Sequence, residues 1–226
     1  MVIADVDGTL LGSDSDFADL LSQLAKRRDV VLIPNSSRPI ASLYRSWREA
    51  RIGGFPTQVG ALGTELEVDG SPTGWSDTYA EFDRGPFDAI LTEMGFQTNG
   101  DEFQTALKAS YNLPSDRWIE AAAALQAVGP AQVVTSGEFD FDVIPVGAGK
   151  AAPIPFLADV LRISPAQVIA AGDSMNDLTM LMAASSRIVV GNADQALIDA
   201  TNGQAYHSRA KFAAGVTEGL SALGVL

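Results

Sequence analysis

The sequence contains no cysteine and a single histidine, His207. Disulfides, thiolate nucleophiles and cysteine-held zinc are therefore excluded, as is any site built from several imidazoles. A lone histidine before the last helix reads as a surface or capping group. Basic residues are scarce: 15 Lys and Arg stand against 28 Asp and Glu, a net charge of −13. Such a chain repels a nucleic-acid backbone and an anionic membrane surface, so neither is expected as a partner. It can hold a phosphate group only where a metal ion or a focused cation offsets that charge. No apolar run approaches the ~18 residues that a membrane-spanning helix needs. Met1-Val-Ile-Ala4 runs into Asp5 without a basic stretch, which predicts no secretory leader and a cytoplasmic location. The chain does have apolar content, 46% against 19% charged, which excludes disorder and supplies a core without staples.

Val2-Ile3-Ala4 reads as a buried strand, and Phe17, Leu20, Leu21 and Leu24 follow at helical spacing. Residues 30–33 form a second expected strand, and Pro39 opens a helix with Ile40, Leu43 and Trp47 on one face. The alternation returns late, with strands at 168–171 and 188–190 and helices at 178–184 and 212–223. Short connections of this kind imply right-handed crossovers and a doubly wound, mostly parallel, Rossmann-like α/β core. The intervening stretch is far too long for a plain loop. Helical patterns at 87–94 and 117–128 alternate there with strand-like sequence at 102–111 and 132–144, between glycine- and proline-rich joints. Residues 76–145 are thus expected to form an inserted, smaller α+β cap domain, with 1–75 and 146–226 as the core.

Asp5-Val-Asp-Gly-Thr9 follows the first strand. Side chains two apart on a strand share a side, so Asp5 and Asp7 are expected to converge where open α/β sheets bind ligands. Two close carboxylates repel unless a cation sits between them, and Mg²⁺ suits oxygen ligands. Gly172-Asp-Ser-Met-Asn-Asp177 brings Asp173 and Asp177 to the end of another strand. Helix capping accounts for one such acid but not for four at one sheet edge. Asp5, Asp7, Asp173 and Asp177 are the expected metal group. Asn35-Ser-Ser-Arg38 ends the second strand, where Ser36, Ser37, Arg38 and a helix N-terminus suit a phosphate. Lys150 could neutralise that phosphate among so many acids. Gly147-Ala-Gly-Lys150 is not a phosphate-binding P-loop, because Ile144 replaces the earlier glycine and Ala151 the Ser/Thr.

These four segments, in this order, resemble the haloacid dehalogenase-like phosphohydrolases, with a cap between motifs two and three. Leu62-Gly-Thr-Glu-Leu66, Leu107-Lys-Ala-Ser-Tyr111, Gly137-Glu-Phe-Asp-Phe-Asp-Val-Ile-Pro145 and Val190-Gly-Asn192 resemble the sucrose-phosphatase-like branch. Ser-Ser-Arg stands where Thr-Gly-Arg is commoner, and Gly149-Lys150-Ala where Asn-Lys-Gly is more usual. The resemblance implies a Mg²⁺-dependent phosphatase acting on a small sugar phosphate, sucrose 6-phosphate or a related glycosyl phosphate. It implies Asp5 as nucleophile, Asp7 as general acid and base, and Lys150 and Ser36 on the phosphate oxygens. Asp5, the Asp7 carbonyl and Asp173 would hold the metal, with Asp177 orienting a metal-bound water. Lys108, Ser110, Asp140 and Asp142 are the candidate sugar contacts of the cap. A glycosylglycerate or glycosylglycerol phosphate is an alternative substrate, and a phosphomutase an alternative reaction. The acid-rich cap, with Glu81, Asp83, Asp88, Glu93, Asp101 and Glu102, disfavours the second phosphate site a mutase needs. A phosphorylation-driven receiver would need no insert. A monomer or weak homodimer is expected.

Overall fold

Strands as short and apolar as Val2-Ile3-Ala4 persist only where both faces are covered, and all three residues are fully buried. In the computed structural model, which describes residues 1–226, the chain begins with β1 (Val2–Ala4), α1 (Asp14–Leu24), β2 (Leu32–Pro34) and α2 (Ile40–Glu49). It continues with β3 (Gln58–Gly60), β4 (Glu65–Val68), β5 (Ser71–Pro72), α3 (Gly85–Glu93), β6 (Gln97–Thr98) and β7 (Ala109–Asn112). Then come α4 (Trp118–Gln126), β8 (Gln132–Ser136), β9 (Asp140–Ile144), α5 (Ile154–Val160) and β10 (Ile169–Gly172). The last elements are α6 (Leu178–Ala183), β11 (Ser186–Val189), α7 (Gln195–Ala200), β12 (Tyr206–His207) and α8 (Phe212–Ala222). No helix is long and apolar enough to cross a membrane.

Two compact units result. One combines Met1–Ser36 with Lys150–Leu226, and the other is Ser37–Gly149. The first holds a five-stranded parallel sheet in the order β12-β11-β10-β1-β2. The winding reverses between β10 and β1, the switch point at which doubly wound sheets open a crevice. There Ala4 pairs with Ala171, so Asp5 and the Gly172-Asp173 segment leave the sheet side by side. The final helix lies very close to this sheet: a Cβ on Gly219 would come within 2.6 Å of the Ile188 side chain.

The second unit is antiparallel. It contains the sheets β3-β4-β5 and β6-β7-β9-β8. One face of the larger sheet buries Ala109, Tyr111, Phe141 and Val143 against Phe87 and Leu91 of α3 and Leu125 of α4. The alternation of side chains turns Lys108, Ser110, Asp140 and Asp142 to its other face.

The expected insert, 76–145, lies inside this larger unit. Hydrogen bonds recruit the segment before it. The Ser76 hydroxyl donates to the Thr64 carbonyl (2.8 Å) and the Lys108 ammonium to the Ser37 carbonyl (2.9 Å). The strand expected at 102–111 is confined to Ala109–Asn112. Asp101–Phe103 instead form a helical turn, and the Gln104 side chain takes the place of a strand by bonding both the Ser110 amide and its carbonyl.

Helix propensity alone makes Gly219→Ala stabilising by ~1 kcal/mol. Here the added methyl meets three atoms of the fully buried Ile188, and overpacking of that kind costs about 1–3 kcal/mol. The variant should therefore melt below the wild type in a thermal scan. A higher midpoint would contradict this packing.

Candidate active site

Asp5 is the first residue beyond β1, and its amide donates to the Ala171 carbonyl at 3.0 Å. This pins the residue to the neighbouring strand end while its side chain stays buried. Lys150 supplies the compensating charge. Its ammonium donates to Asp5 Oδ1 and Asp177 Oδ1, both at 2.6 Å, and to Asn176 Oδ1 at 2.9 Å. Asp177 Oδ2 accepts the amides of Asp173 and Ser174 at 3.0 and 3.1 Å, and Asp173 Oδ1 accepts the Thr9 hydroxyl at 2.7 Å.

Asp5, Asp173 and Asp177 each place a carboxylate oxygen within 4.8 Å of the others. Two glycines make this approach feasible. Gly8, at φ +83°, would carry a Cβ 2.4 Å from Asp173 Oδ2, and one on Gly172 would meet the Asp177 side chain at 2.6 Å.

The fourth expected acid behaves differently. The strand ends at Ala4 and the chain turns, with the Leu10 and Leu11 amides bonded to the Val6 carbonyl at 3.0 and 2.8 Å. The strand alternation that would align Asp7 with Asp5 is therefore lost. Asp7 is exposed in the turn and lies outside the acid group. Ser36 is buried just beyond β2. Two residues absent from the expected set hold this architecture. Asn35 donates to the Lys150 carbonyl at 2.7 Å, fixing where that lysine starts. Asn192 donates to the Gly8 carbonyl at 2.7 Å and accepts the Phe212 amide at 2.8 Å, tying the turn after Asp5 to α8. Both follow an apolar strand stretch and so read as ordinary caps. A separate cavity of about 350 Å³, lined by Met1, Arg27, Gln167 and Val225 among others, touches none of these acids.

In the second unit, Ser37, Lys108, Ser110, Asp140 and Asp142 line one cavity of about 150 Å³ with Asn99, Phe103 and Ser136. Lys108 is almost wholly buried. Its ammonium donates to the Ser37 carbonyl at 2.9 Å and lies 3.3 Å from Asp142 Oδ1. Asn99, which sequence reasoning missed, donates to the Ser110 hydroxyl at 2.9 Å.

The chain matches the family described as sucrose-6F-phosphate phosphohydrolase over residues 1–224. It is 30% identical to the mannosylfructose-phosphate phosphatase of Agrobacterium fabrum, covering all of this chain and 97% of that one. The structure resembles the sucrose-phosphatase of Synechocystis sp. PCC6803, solved with sucrose and phosphate, at a TM-score of 0.89 and 22% identity over 99% of this chain and 97% of that one. A haloacid dehalogenase-like hydrolase from Bacillus subtilis gives 0.68 at 18% identity, covering 100% of this chain and 92% of the other. At such identities the two structures speak for the fold.

The charges of the acid group are not independent. Burial raises the Asp5 carboxyl well above its usual range, the Asp177 charge adds to this, and Lys150 opposes both. Burial would lower the Lys150 pKa, but Asp177 and Asp5 outweigh it and hold the ammonium above the ordinary lysine value. Asp173 is pushed up to about 6, chiefly by burial. A carboxyl whose folded pKa exceeds its unfolded value weighs against the fold once ionised, and that penalty grows as pH rises between the two values. In metal-free protein, Asp173→Asn keeps an acceptor for Thr9 and removes the penalty. Its melting temperature should gain on the wild type as pH rises from about 4 to 7. A difference independent of pH would contradict the assignment.

Proposed function

This chain belongs to the sucrose-6F-phosphate phosphohydrolase family, whose members are phosphoric monoester hydrolases acting on sugar phosphates, and we propose that it releases phosphate from a phosphorylated disaccharide through a covalent aspartyl-phosphate on Asp5. Sucrose 6-phosphate and mannosylfructose phosphate are the first substrates to test. The observation that carries this reading is the burial of the Lys150 ammonium against Asp5 and Asp177, beside Asp173, at the sheet's switch point.

In the first step the Asp5 carboxylate attacks phosphorus, and the bond between phosphorus and the sugar oxygen breaks. Asp7, exposed on the turn two residues on, gives its proton to the departing oxygen. In the second step Asp7 takes a proton from water, the water oxygen attacks phosphorus, and the acyl-phosphate bond breaks to regenerate Asp5. Lys150 holds the Asp5 carboxylate in place and offsets negative charge beside it. The Ser36 hydroxyl and the amides after it receive phosphate oxygens.

The donor set also fits Mg²⁺, since it consists of hard carboxylate oxygens. Both Asp177 oxygens are already engaged, by Lys150 and by two amides, so Asp177 orients the group from behind. That leaves Asp5 and Asp173 to supply carboxylate ligands, with the Asp7 carbonyl between them in the chain. When bound, the ion would offset the repulsion between substrate phosphate and these acids. In the second unit the cavity faced by Lys108, Ser110, Asp140 and Asp142 is the candidate reader of sugar hydroxyls, and residues 76–145 act as the cap.

Asp5→Asn should lower phosphate release from the sugar phosphate by ~10³-fold or more, because the carboxylate nucleophile is gone. Its melting temperature should stay close to that of the wild type, since an amide oxygen there can still accept from the Lys150 ammonium and Asp177 still compensates its charge. Exhaustive chelation should also abolish turnover, and added Mg²⁺ should restore it. Activity of Asp5→Asn within tenfold of wild type, or full activity after chelation, would overturn the mechanism.

A further inference from the structure

The segment that carries Ser37 and Arg38 into α2 is fastened to the rest of the second unit at three backbone atoms. The Ala61 amide donates to the Arg38 carbonyl at 2.7 Å, and the Glu65 carboxylate accepts the Ile40 amide at 2.7 Å. The third tie is the Lys108 ammonium on the Ser37 carbonyl at 2.9 Å. Of the three, Lys108 is the one that also lines the polar cavity.

Its surroundings are unusual for a lysine. It is 1% exposed, in the residue just before β7, and its ammonium lies beside Asp142, itself 5% exposed. A buried ammonium is tolerated only when its protons find acceptors and its charge finds a partner. The Ser37 carbonyl takes one proton and Asp142 compensates the charge at 3.3 Å. An ammonium has three protons, so one remains for a hydroxyl in the cavity. A side chain that only read sugar would not need its ammonium committed to the main chain of another loop.

We propose that Lys108 is a positioning residue for phosphate binding: by holding the Ser37 carbonyl it fixes the Ser37–Arg38 peptide of the loop that begins at Ser36, and a sugar hydroxyl in the cavity would bond to the same ammonium that sets this loop. The inference rests on Ser36 to Arg38 being the phosphate-gripping loop, and it predicts an effect on substrates that carry no sugar at all.

The test uses p-nitrophenyl phosphate as substrate and inorganic phosphate as competitive inhibitor. Lys108→Met alone leaves Asp142 buried without its partner and can cost the fold. Lys108→Met/Asp142→Leu removes both halves of the pair and keeps the site apolar. Leu125→Ala, in the apolar core of the same unit, serves as a destabilised control remote from the loop. The double variant should lose roughly tenfold in kcat/KM on p-nitrophenyl phosphate, the scale of one lost hydrogen bond that positions the reacting group. The inhibition constant of inorganic phosphate should rise by a similar factor, while Leu125→Ala keeps both values. Unchanged constants in the double variant overturn the proposal, as does an equal loss in Leu125→Ala. A wild-type protein that hydrolyses no phosphate monoester with Mg²⁺ present overturns the phosphatase reading itself, and this inference with it.

Discussion

One buried cation organises the first unit. Lys150 sits between Asp5 and Asp177 at 2.6 Å from each, with almost no solvent to share the charge. Removing any charge from water costs several kcal/mol, and here each charge is tolerable only because its neighbours are present. Three residues far apart in the chain are thereby committed to one point. The surrounding hydrogen bonds serve that commitment. Asn35 fixes the Lys150 backbone, and the amides of Asp173 and Ser174 hold the outer oxygen of Asp177. In a chain with a net charge of −13, this one buried cation offsets the repulsion within the acid group.

The sheet makes the convergence possible. Parallel pairing of β1 with β10 releases Asp5 level with Gly172, one residue before Asp173, and the missing side chains of Gly8 and Gly172 leave room for Asp173 and Asp177. The second unit solves a different problem with the other periodicity. Its antiparallel strands give one face to Tyr111, Phe141 and Val143, and keep the alternate positions polar around a small cavity. Charge compensation recurs there in the Lys108–Asp142 pair.

Much of this was legible in the sequence because apolar strands ending in acids are a local signal. The strand before Asp5 and the Asp173 and Asp177 pair are readable from spacing, whereas Lys108, Ser110, Asp140 and Asp142 follow from the family resemblance. What escaped depends on contacts distant in sequence. Asp7 did not follow the strand alternation, because the strand ends at Ala4 and the Val6 carbonyl gathers the next amides into a turn. The stretch 37–75 joined the second unit through bonds such as Lys108 to Ser37 and Ser76 to Thr64, which no periodicity encodes. Asn35 and Asn192 look like ordinary caps until their partners, Lys150 and Gly8, are known.

The account stands or falls on the acyl phosphate at Asp5. Wild-type protein turning over a sugar phosphate with Mg²⁺ can be quenched rapidly, treated with borohydride, which reduces acyl phosphates to alcohols, and digested for peptide mass spectrometry. Reduction at residue 5, dependent on substrate and absent from residues 7, 173 and 177, is the predicted result. Sustained turnover with Asp5 unmodified, or a reduced residue at any of the other three acids, would contradict the account.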